Sequence, residues 1–320
     1  MFKNHFTQVQ KESIKKFNQM INKGDLSFEE VSCLCGHAGF VKISSHDRFG
    51  FQQRVVVCRK CGLMMSSPRL TNKSYQVFYS TDIYRMIYQD EDYLETAERK
   101  LNSDYGKYLF EDLYPLIKEH KNLNVLEFGC GGGWNLIHFL RAGYKVTGYD
   151  YSPTLTQLGK TYRLDLREGT IGDVEGEYDI IILNHVIEHF TDLFGSMKAI
   201  VNHLKPGGLM YIGVPNMDNY GSLQLQNAHV YYFTPRTFKY FMGLCGLRII
   251  QFGSAQKIHM YGVFELGSQD SSIFTLESEP KRIFKTIKRA QIRECAGRVL
   301  DKIGVKELIK SALRRFSSEK

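Results

Sequence analysis

A glycine-rich loop behind an apolar strand constrains this chain more than any other feature of its 320 residues. Residues 125–133 read VLEFGCGGG, with Gly129, Gly131 and Gly133 at alternate positions and Glu127 two residues ahead of the first. Glycine is needed in such a loop because the backbone turns sharply and a ligand approaches the main chain closely. The GxGxG spacing differs from the GxGxxG loop that binds a pyrophosphate. The loop therefore predicts a ligand site at the end of a buried strand.

Strand-like and helix-like segments alternate from residue 122 onward. The strand-like segments are NVLEFG, KVTGYD, YDIIILN and GLMYIGVP, and the helix-like ones include WNLIHFLRAG and residues 236–244. This alternation is typical of βαβ units around a parallel sheet. Two further strand-like segments, LRIIQFG and IHMYGVFELG, predict an antiparallel hairpin at the sheet edge. We therefore predict an α/β core.

An acid stands at the end of the second predicted strand. The strand KVTGYD ends in Asp150. A carboxylate at this place accepts hydrogen bonds from the two hydroxyls of a ribose. Together with the glycine loop, Asp150 predicts a nucleoside-type ligand without a pyrophosphate.

Five segments in this register resemble the motifs of class I S-adenosylmethionine-dependent methyltransferases. Residues 125–133 resemble motif I, and Asp150 matches the acid of the second strand. The segments YDIIILN at 178–184, HVIEH at 185–189 and LKPGG at 204–208 resemble the fourth strand, the turn after it and the turn before the fifth strand. The resemblance covers roughly residues 122–266 and implies a Rossmann-like sheet with S-adenosylmethionine as cofactor.

The resemblance also implies individual cofactor contacts. They are Glu127 near the amino group of the ligand, Gly129, Gly131 and Gly133 along its methionine and ribose portions, Asp150 on the ribose hydroxyls, Tyr151 on the adenine ring, Asp173 at the adenine amino group, and Asn184 at the end of the fourth strand. Asn184 and His185 follow that strand at the edge where open α/β sheets bind ligands.

Four of the seven cysteines form two tight pairs within thirty residues. They are Cys33, Cys35, Cys58 and Cys61, and a glycine follows the second cysteine of each pair. Pairs like these, without a secretion signal, indicate metal ligands rather than disulfides. Four thiolates around one tetrahedral Zn²⁺ form a closed structural site, which we predict here. The first pair is tighter than usual, so His37 or His46 remains an alternative ligand in place of one cysteine.

The cysteine pairs followed by a class I core resemble bacterial methyltransferases that modify sugars and cell-surface glycans, including sugar C-methyltransferases of deoxysugar pathways. The resemblance implies a sugar-like small molecule or a glycan precursor as the methyl acceptor. Sugar C-methyltransferases carry a Tyr and a Glu just ahead of a substrate-side histidine, whereas this chain has Gln226 and Ala228 near His229. O-methylation therefore stays open beside C- and N-methylation, as does a lipid, small aromatic or RNA acceptor.

Methyl transfer to oxygen or carbon needs a base near the acceptor. His229 is the first candidate, because it lies in the segment that resembles the family's substrate side and histidine titrates near neutral pH. His185 is the second candidate. The HxxEH segment at 185–189 has a spacing that suits either a divalent metal or helix packing. Tyr75, Tyr79 and Tyr84 are candidates to line the acceptor site or the core.

The predicted organisation has five parts. They are an N-terminal helix in residues 1–30, a zinc-knuckle module in 31–72, a helical connector in 73–121, the methyltransferase core in 122–268, and a linker with a basic helical tail in 269–320. The start of the chain has no apolar stretch of the kind found in secretion signals, and no segment has the length of a membrane span. We therefore expect a cytoplasmic protein.

The positive charge is concentrated in the tail. Residues 281–320 contain thirteen Lys or Arg and four acids, so the rest of the +8 chain sums to −1. A neutral body argues against nucleic acid as a partner. The tail has apolar stripes at residues 292–303 and 305–316 opposite its basic residues. This pattern fits a helix that contacts a membrane surface, such as the inner membrane, and equally one that packs on the protein.

Overall fold

The computed structural model describes residues 6–88, 92–255, 258–268 and 275–302. The helices are α1 (Gln8–Lys23), α2 (Asn72–Ser80), α3 (Asp82–Tyr88), α4 (Tyr93–Leu101), α5 (Lys107–Ile117), α6 (Leu136–Arg141), α7 (Pro153–Lys160), α8 (Leu193–Val201), α9 (Pro235–Leu244) and α10 (Glu279–Lys302). Short 3₁₀ helices span Ile171–Asp173, Ile187–His189, Met217–Asn219 and Ser222–Gln224.

Seven strands form the central sheet. In chain order they are β6 (Asn124–Phe128), β7 (Lys145–Asp150), β8 (Asp165–Glu168), β9 (Tyr178–Asn184), β10 (Leu204–Pro215), β12 (Leu247–Ala255) and β13 (His259–Leu266). Their spatial order is β12-β13-β10-β9-β6-β7-β8, with β10 through β8 parallel and the β12–β13 hairpin antiparallel at the edge. The sheet confirms the predicted α/β Rossmann-like fold.

The central strands form because their side chains are apolar on both faces. Residues 180–183 of β9 are all almost completely buried, as expected for a parallel strand covered by helices on both sides. The sequence analysis missed β8. This edge strand reads DLRE and buries only Leu166, so it carries too little apolar pattern to predict.

A second sheet belongs to the cysteine-rich part of the chain. It consists of β2 (Phe40–His46), β3 (Gln52–Cys58), β4 (Met64–Ser66) and β11 (Tyr231–Tyr232), all antiparallel. A third, two-stranded sheet pairs β1 (Phe28–Glu29) with β5 (Arg69–Leu70). Because β11 follows the core strand β10 in the chain, the module's sheet extends beyond the predicted 31–72 boundary.

The N-terminal helix joins these parts in one core. A capping box at Thr7 begins α1, and Gly24, at a φ of 80°, ends it. The buried ring of Phe17 packs edge-on against Phe51 of the module at 4.7 Å and Phe78 of α2 at 5.2 Å. Aromatic contacts therefore tie α1, the module and the helical connector together.

The first half of α10 packs on the protein. Ile283, Ile287 and Ala290 are buried, whereas Ile292 and Val299 of the predicted stripe are 60% and 53% exposed. The second predicted stripe, at 305–316, lies outside the described residues. Among the helices that the structure describes, none has both the length and the apolar character to cross a bilayer.

Candidate active site

A cavity of about 380 Å³ lies at the carboxyl ends of β6, β7 and β9. Ligands of open α/β sheets bind at this edge. Five of the predicted cofactor residues and one predicted base line this cavity together, namely Gly129, Gly131, Asp150, Tyr151, Asn184 and His185. Helices α2 and α3 cover it from the other side with Tyr75, Tyr79, Tyr84 and Arg85.

The glycine loop adopts the conformation that its sequence predicts. Gly131 has a φ of 55°, and its N–H donates to the Asp150 carboxylate at 2.8 Å. Gly133 has a φ of 80°, and a Cβ there would lie 2.6 Å from Leu164 Cδ1. Gly133 is not among the lining residues of the cavity. In this structure it allows the loop to pack closely against Leu164.

Two backbone donors and one ion pair hold Asp150 at the end of β7. One carboxylate oxygen accepts from the Gly131 N–H and the other from the Ser152 N–H, both at 2.8 Å. Arg85 Nη2 lies 3.6 Å from Asp150 Oδ1. Burial raises the pKa of Asp150, while Arg85 and the backbone donors oppose this shift. The carboxylate is thus oriented toward the cavity that a ribose would enter.

Glu127 lies behind the cavity wall. It is 1% exposed, and its Oε1 accepts from Asn135 Nδ2 at 2.6 Å, while Oε2 is buried without a hydrogen-bond partner. Asn135 itself lines the cavity. Burial raises the pKa of Glu127 to about 8, and the Asn135 hydrogen bond opposes that effect. A cationic group near this carboxyl would favour its ionised form.

Aromatic side chains form one wall of the cavity. Trp134 and Tyr105 meet edge-on, with ring centroids 6.4 Å apart, and Lys100 Nζ lies 4.4 Å and 4.5 Å from the two rings. Tyr151 is 43% exposed and contacts Phe128 edge-on. An exposed ring at this position can stack on a flat base, as the resemblance implies for Tyr151.

Asp173 does not line the cavity. Its carboxylate accepts from the Thr170 N–H and hydroxyl, both at 2.7 Å, and so caps the short helix Ile171–Asp173. Both hydrogen bonds go to Oδ2 of Asp173. Ile171, two residues earlier, lines the cavity instead.

His185 occupies the cavity edge directly after β9. It has a φ of 59°, which is uncommon for a residue with a side chain, and its N–H donates to Gly213 O at 2.9 Å. Its Nδ1 lies 3.1 Å from Oε1 of the buried Glu188. Burial raises the pKa of Glu188. The hydrogen bond from His185 and the nearby His189 ring outweigh this effect, so the pKa of Glu188 is lowered overall.

His229 is not among the residues that line the cavity. It is 5% exposed, and its ring lies behind that of His189, with centroids 4.9 Å apart. Burial moves the pKa of His229 well below its usual range, so the ring is neutral. The structure therefore brings His185 to the cavity and leaves His229 in the layer behind it.

The four predicted cysteines form one cluster. Cys33 Sγ lies 3.4 Å from Cys61 Sγ, and Cys35 Sγ lies 3.6 Å from Cys58 Sγ. All four sulfur atoms lie within 4.8 Å of one another. This set fits a tetrahedral Zn²⁺, and the alternatives His37 and His46 are not part of the cluster.

Arg85, Tyr105 and Asn135 are among the lining residues that the sequence analysis missed. Arg85 comes from the helical connector, which carries no methyltransferase motif. Asn135 lies two residues after Gly133, and only the structure shows its hydrogen bond to Glu127.

Residues 93–251 match the family model of a methyltransferase domain. The chain is 32% identical over 108 residues to a ubiquinone biosynthesis O-methyltransferase from Chelativorans sp. (strain BNC1), covering 31% of this chain and 43% of that protein. It is 28% identical over 126 residues to the enzyme of that name from Rickettsia akari (strain Hartford), covering 37% and 50%. The chain thus spans about half the length of these relatives.

A solved structure supports the same assignment of the fold. The 1,6-didemethyltoxoflavin-N1-methyltransferase of Burkholderia thailandensis, which was solved with S-adenosylhomocysteine, has a TM-score of 0.50 and 16% identity, covering 72% of this chain and all of that one. The sheet order, the glycine loop and the acid that ends β7 agree with this fold. Residues 93–251 therefore form a methyltransferase domain with the Rossmann-like fold of S-adenosylmethionine-dependent methyltransferases.

Proposed function

We propose that this protein transfers the methyl group of S-adenosylmethionine to a hydroxyl oxygen of a small acceptor, with His185 as the base. The observation that carries the proposal is the His185–Glu188 pair, 3.1 Å apart, on the cavity that also contains Gly131 and Asp150. Base and predicted cofactor contacts lie on one cavity, as transfer between two bound molecules requires.

The pair suits proton transfer. A neutral His185 ring that donates its Nδ1–H to Glu188 keeps the lone pair of Nε2 free to accept a proton. The cofactor supplies an electrophilic methyl carbon on a positively charged sulfur. His185 takes the hydroxyl proton as the acceptor oxygen bonds to that carbon and the carbon–sulfur bond breaks, so that a neutral thioether leaves. Glu188 stabilises the resulting imidazolium.

A sugar-like acceptor or glycan precursor is the first candidate. Polar side chains on the acceptor side of the cavity support it, since Gln76, Tyr79, Tyr84 and Thr191 offer amide and hydroxyl groups to a hydroxyl-rich molecule. Aromatic rings beside such polar groups also suit the apolar face of a sugar ring.

A small aromatic acceptor is the second candidate. The similarity to enzymes named for ubiquinone biosynthesis favours it. The rings of Phe190, Trp134 and Tyr84 on the cavity wall would pack on an aromatic acceptor.

The test is incubation with labelled S-adenosylmethionine and two acceptor panels, one of nucleotide sugars and one of phenols, followed by mass spectrometry. We expect one O-methylated product class, and its formation should depend on Asp150. Products methylated only at nitrogen or carbon would contradict the proposal. His203→Gln is the control for substitutions in the cavity, because His203 precedes β10 at the opposite end of the parallel strands.

A further inference from the structure

Three side chains with metal-ligating atoms converge behind the cavity. Glu188, His189 and His229 each offer one such atom, and these three atoms lie within 4.8 Å of one another. Glu188 and His229 are 1% and 5% exposed. Two of the side chains stand on the short helix Ile187–His189, and the Val230 N–H, next to His229, donates to Glu188 O at 2.8 Å. One backbone hydrogen bond thus holds the two segments together.

The atoms that remain free in this group are unusual for a protein interior. Glu188 Oε2 and His229 Nδ1 are both buried without a hydrogen-bond partner. Buried polar atoms in folded proteins are nearly always paired, and an unpaired one calls for a specific explanation. Here an acceptor oxygen and a ring nitrogen lie unpaired in the same small cluster, so one bound cation would satisfy both.

The other polar atom of each side chain is already held. His189 Nδ1 donates to Ala228 O at 2.9 Å and lies 3.0 Å from the Tyr79 hydroxyl, so its Nε2 keeps a lone pair. Glu188 Oε1 contacts His185, and His229 Nε2 contacts the Gln226 amide. His229 Nε2–H donates there, and Nδ1 keeps its lone pair, when the amide turns its oxygen toward the ring. In metal sites the ligating imidazole usually donates its second N–H to a carbonyl or carboxylate, which fixes the ring.

The protonation states agree with this pattern. Burial lowers the pKa values of His189 and His229, which keeps both rings neutral. The pKa of Glu188 is also lowered, despite its burial, because His185 and His189 favour the carboxylate. Metal ligation requires neutral imidazoles and an ionised carboxylate.

We propose that Glu188, His189 and His229 form a second metal site that takes a borderline divalent cation of the Zn²⁺ type. Two imidazole nitrogens and one carboxylate oxygen are a donor set that Zn²⁺ prefers. The cysteine cluster supplies four ligands and is a closed site, whereas this site supplies three. His189 also lines the cavity, so the site lies next to the space where an acceptor would bind.

The test measures metal binding to the full chain and does not depend on methyl transfer. Zn²⁺ stoichiometry by elemental analysis after gel filtration should be two per chain for the wild type and one for Glu188→Gln and for His229→Gln. Zn²⁺ affinity at this site should fall more than about 100-fold in these variants, beyond the 10–100-fold effect of outer-shell changes. Gln226→Ala, an outer-shell change, should fall within that smaller range.

Substitution with Co²⁺ separates the two sites. A thiolate site gives intense sulfur-to-metal charge-transfer absorption, and Cys58→Ser should weaken it. The site with nitrogen and oxygen ligands should give weak visible bands, and these should persist in Cys58→Ser. His203→Gln should retain both signals, and circular dichroism checks that each variant is folded. Wild-type protein that binds no cation outside the cysteine cluster, or variants that keep the wild-type stoichiometry, would overturn the proposal.

Discussion

Arg85 and Asp150 form an ion pair inside the cavity, with 3.6 Å between the guanidinium and the carboxylate. The two residues come from different parts of the chain, since Arg85 lies on α3 of the helical connector and Asp150 ends β7 of the core. Because Arg85 is only 8% exposed, the pair is poorly screened by solvent. The connector therefore contributes directly to the electrostatics of the cavity around Asp150.

Replacing Arg85 with Gln should weaken S-adenosylmethionine binding about tenfold, or ~1.4 kcal/mol. Burial already raises the pKa of Asp150, and removing Arg85 would raise it further, so the carboxylate would accept ribose hydrogen bonds less well. Calorimetry at pH 7 measures the change. The exposed Arg141→Gln is the matched control, and equal affinities in the two variants would remove Arg85 from the site.

Replacing Asp150 with Ala should cost on the order of 1–3 kcal/mol of cofactor binding, because the ribose hydroxyls would be left unpaired. The same change removes the acceptor for the Gly131 N–H, so the glycine loop should also lose order. Calorimetry gives the affinity, and hydrogen exchange of residues 129–133 gives the loop's protection. Unchanged calorimetric affinity would refute the assignment of Asp150 to the cofactor.

Glu127 should make the stability of the protein depend on pH. Burial raises its pKa from 4.5 to about 8, so the folded state holds the proton more tightly than the unfolded chain does. The stability due to this proton is fully present below about pH 4.5 and is lost as the pH rises through about 8. The free energy of unfolding of Glu127→Gln, relative to wild type, should therefore increase across this window.

Urea unfolding of both proteins between pH 5 and 8.5 checks this expectation. A constant difference in the free energy of unfolding would mean that Glu127 does not titrate there. Cofactor binding should in addition release a proton in the wild type, because the amino group of the ligand favours the ionised carboxyl. Calorimetry in buffers of different ionisation enthalpy detects that proton.

Replacing His185 with Gln should lower turnover by about 10²–10⁴-fold, the range of general-base catalysis. Cofactor affinity should stay within a factor of a few, since the proposed role concerns the acceptor hydroxyl. Single-turnover kinetics with saturating cofactor measure the chemical step. A variant that only raises KM for the acceptor would show that His185 orients the acceptor and does not remove its proton.

Replacing Cys58 with Ser should destabilise the cysteine-rich module and also the segments that pack on it. The module's sheet includes β11. A Cβ at Gly62 would lie 2.9 Å from the backbone of Glu279, so the turn after Cys61 packs directly on the start of α10. Zinc binding and folding are coupled in such modules. Hydrogen exchange should rise at residues 231–232 and 279–282 as well as at 52–66.

Protection that falls only within residues 31–72 would show that the module unfolds by itself. Elemental analysis of the wild type should find Zn²⁺ bound to the cysteine cluster in protein purified without chelator, and its absence would contradict the zinc assignment.

The sequence by itself determined the elements whose signals are local. The apolar runs of β6, β7 and β9 predict parallel strands because each is covered on both faces. The glycines of the loop predict its shape because backbone conformation depends on the residue at that position. The paired cysteines likewise place two ligands on each turn, and the structure brings the two turns together.

Tertiary structure decided which side chains share the site. Arg85 reaches Asp150 because α3 packs over the carboxyl edge of the sheet, and no spacing along the chain records that approach. The sequence favours His229 over His185 as the base, yet His185 lines the cavity and His229 is buried behind His189. Burial and the approach of distant segments depend on how helices pack on the sheet, so only the folded chain separates the histidine that lines the cavity from the one behind it.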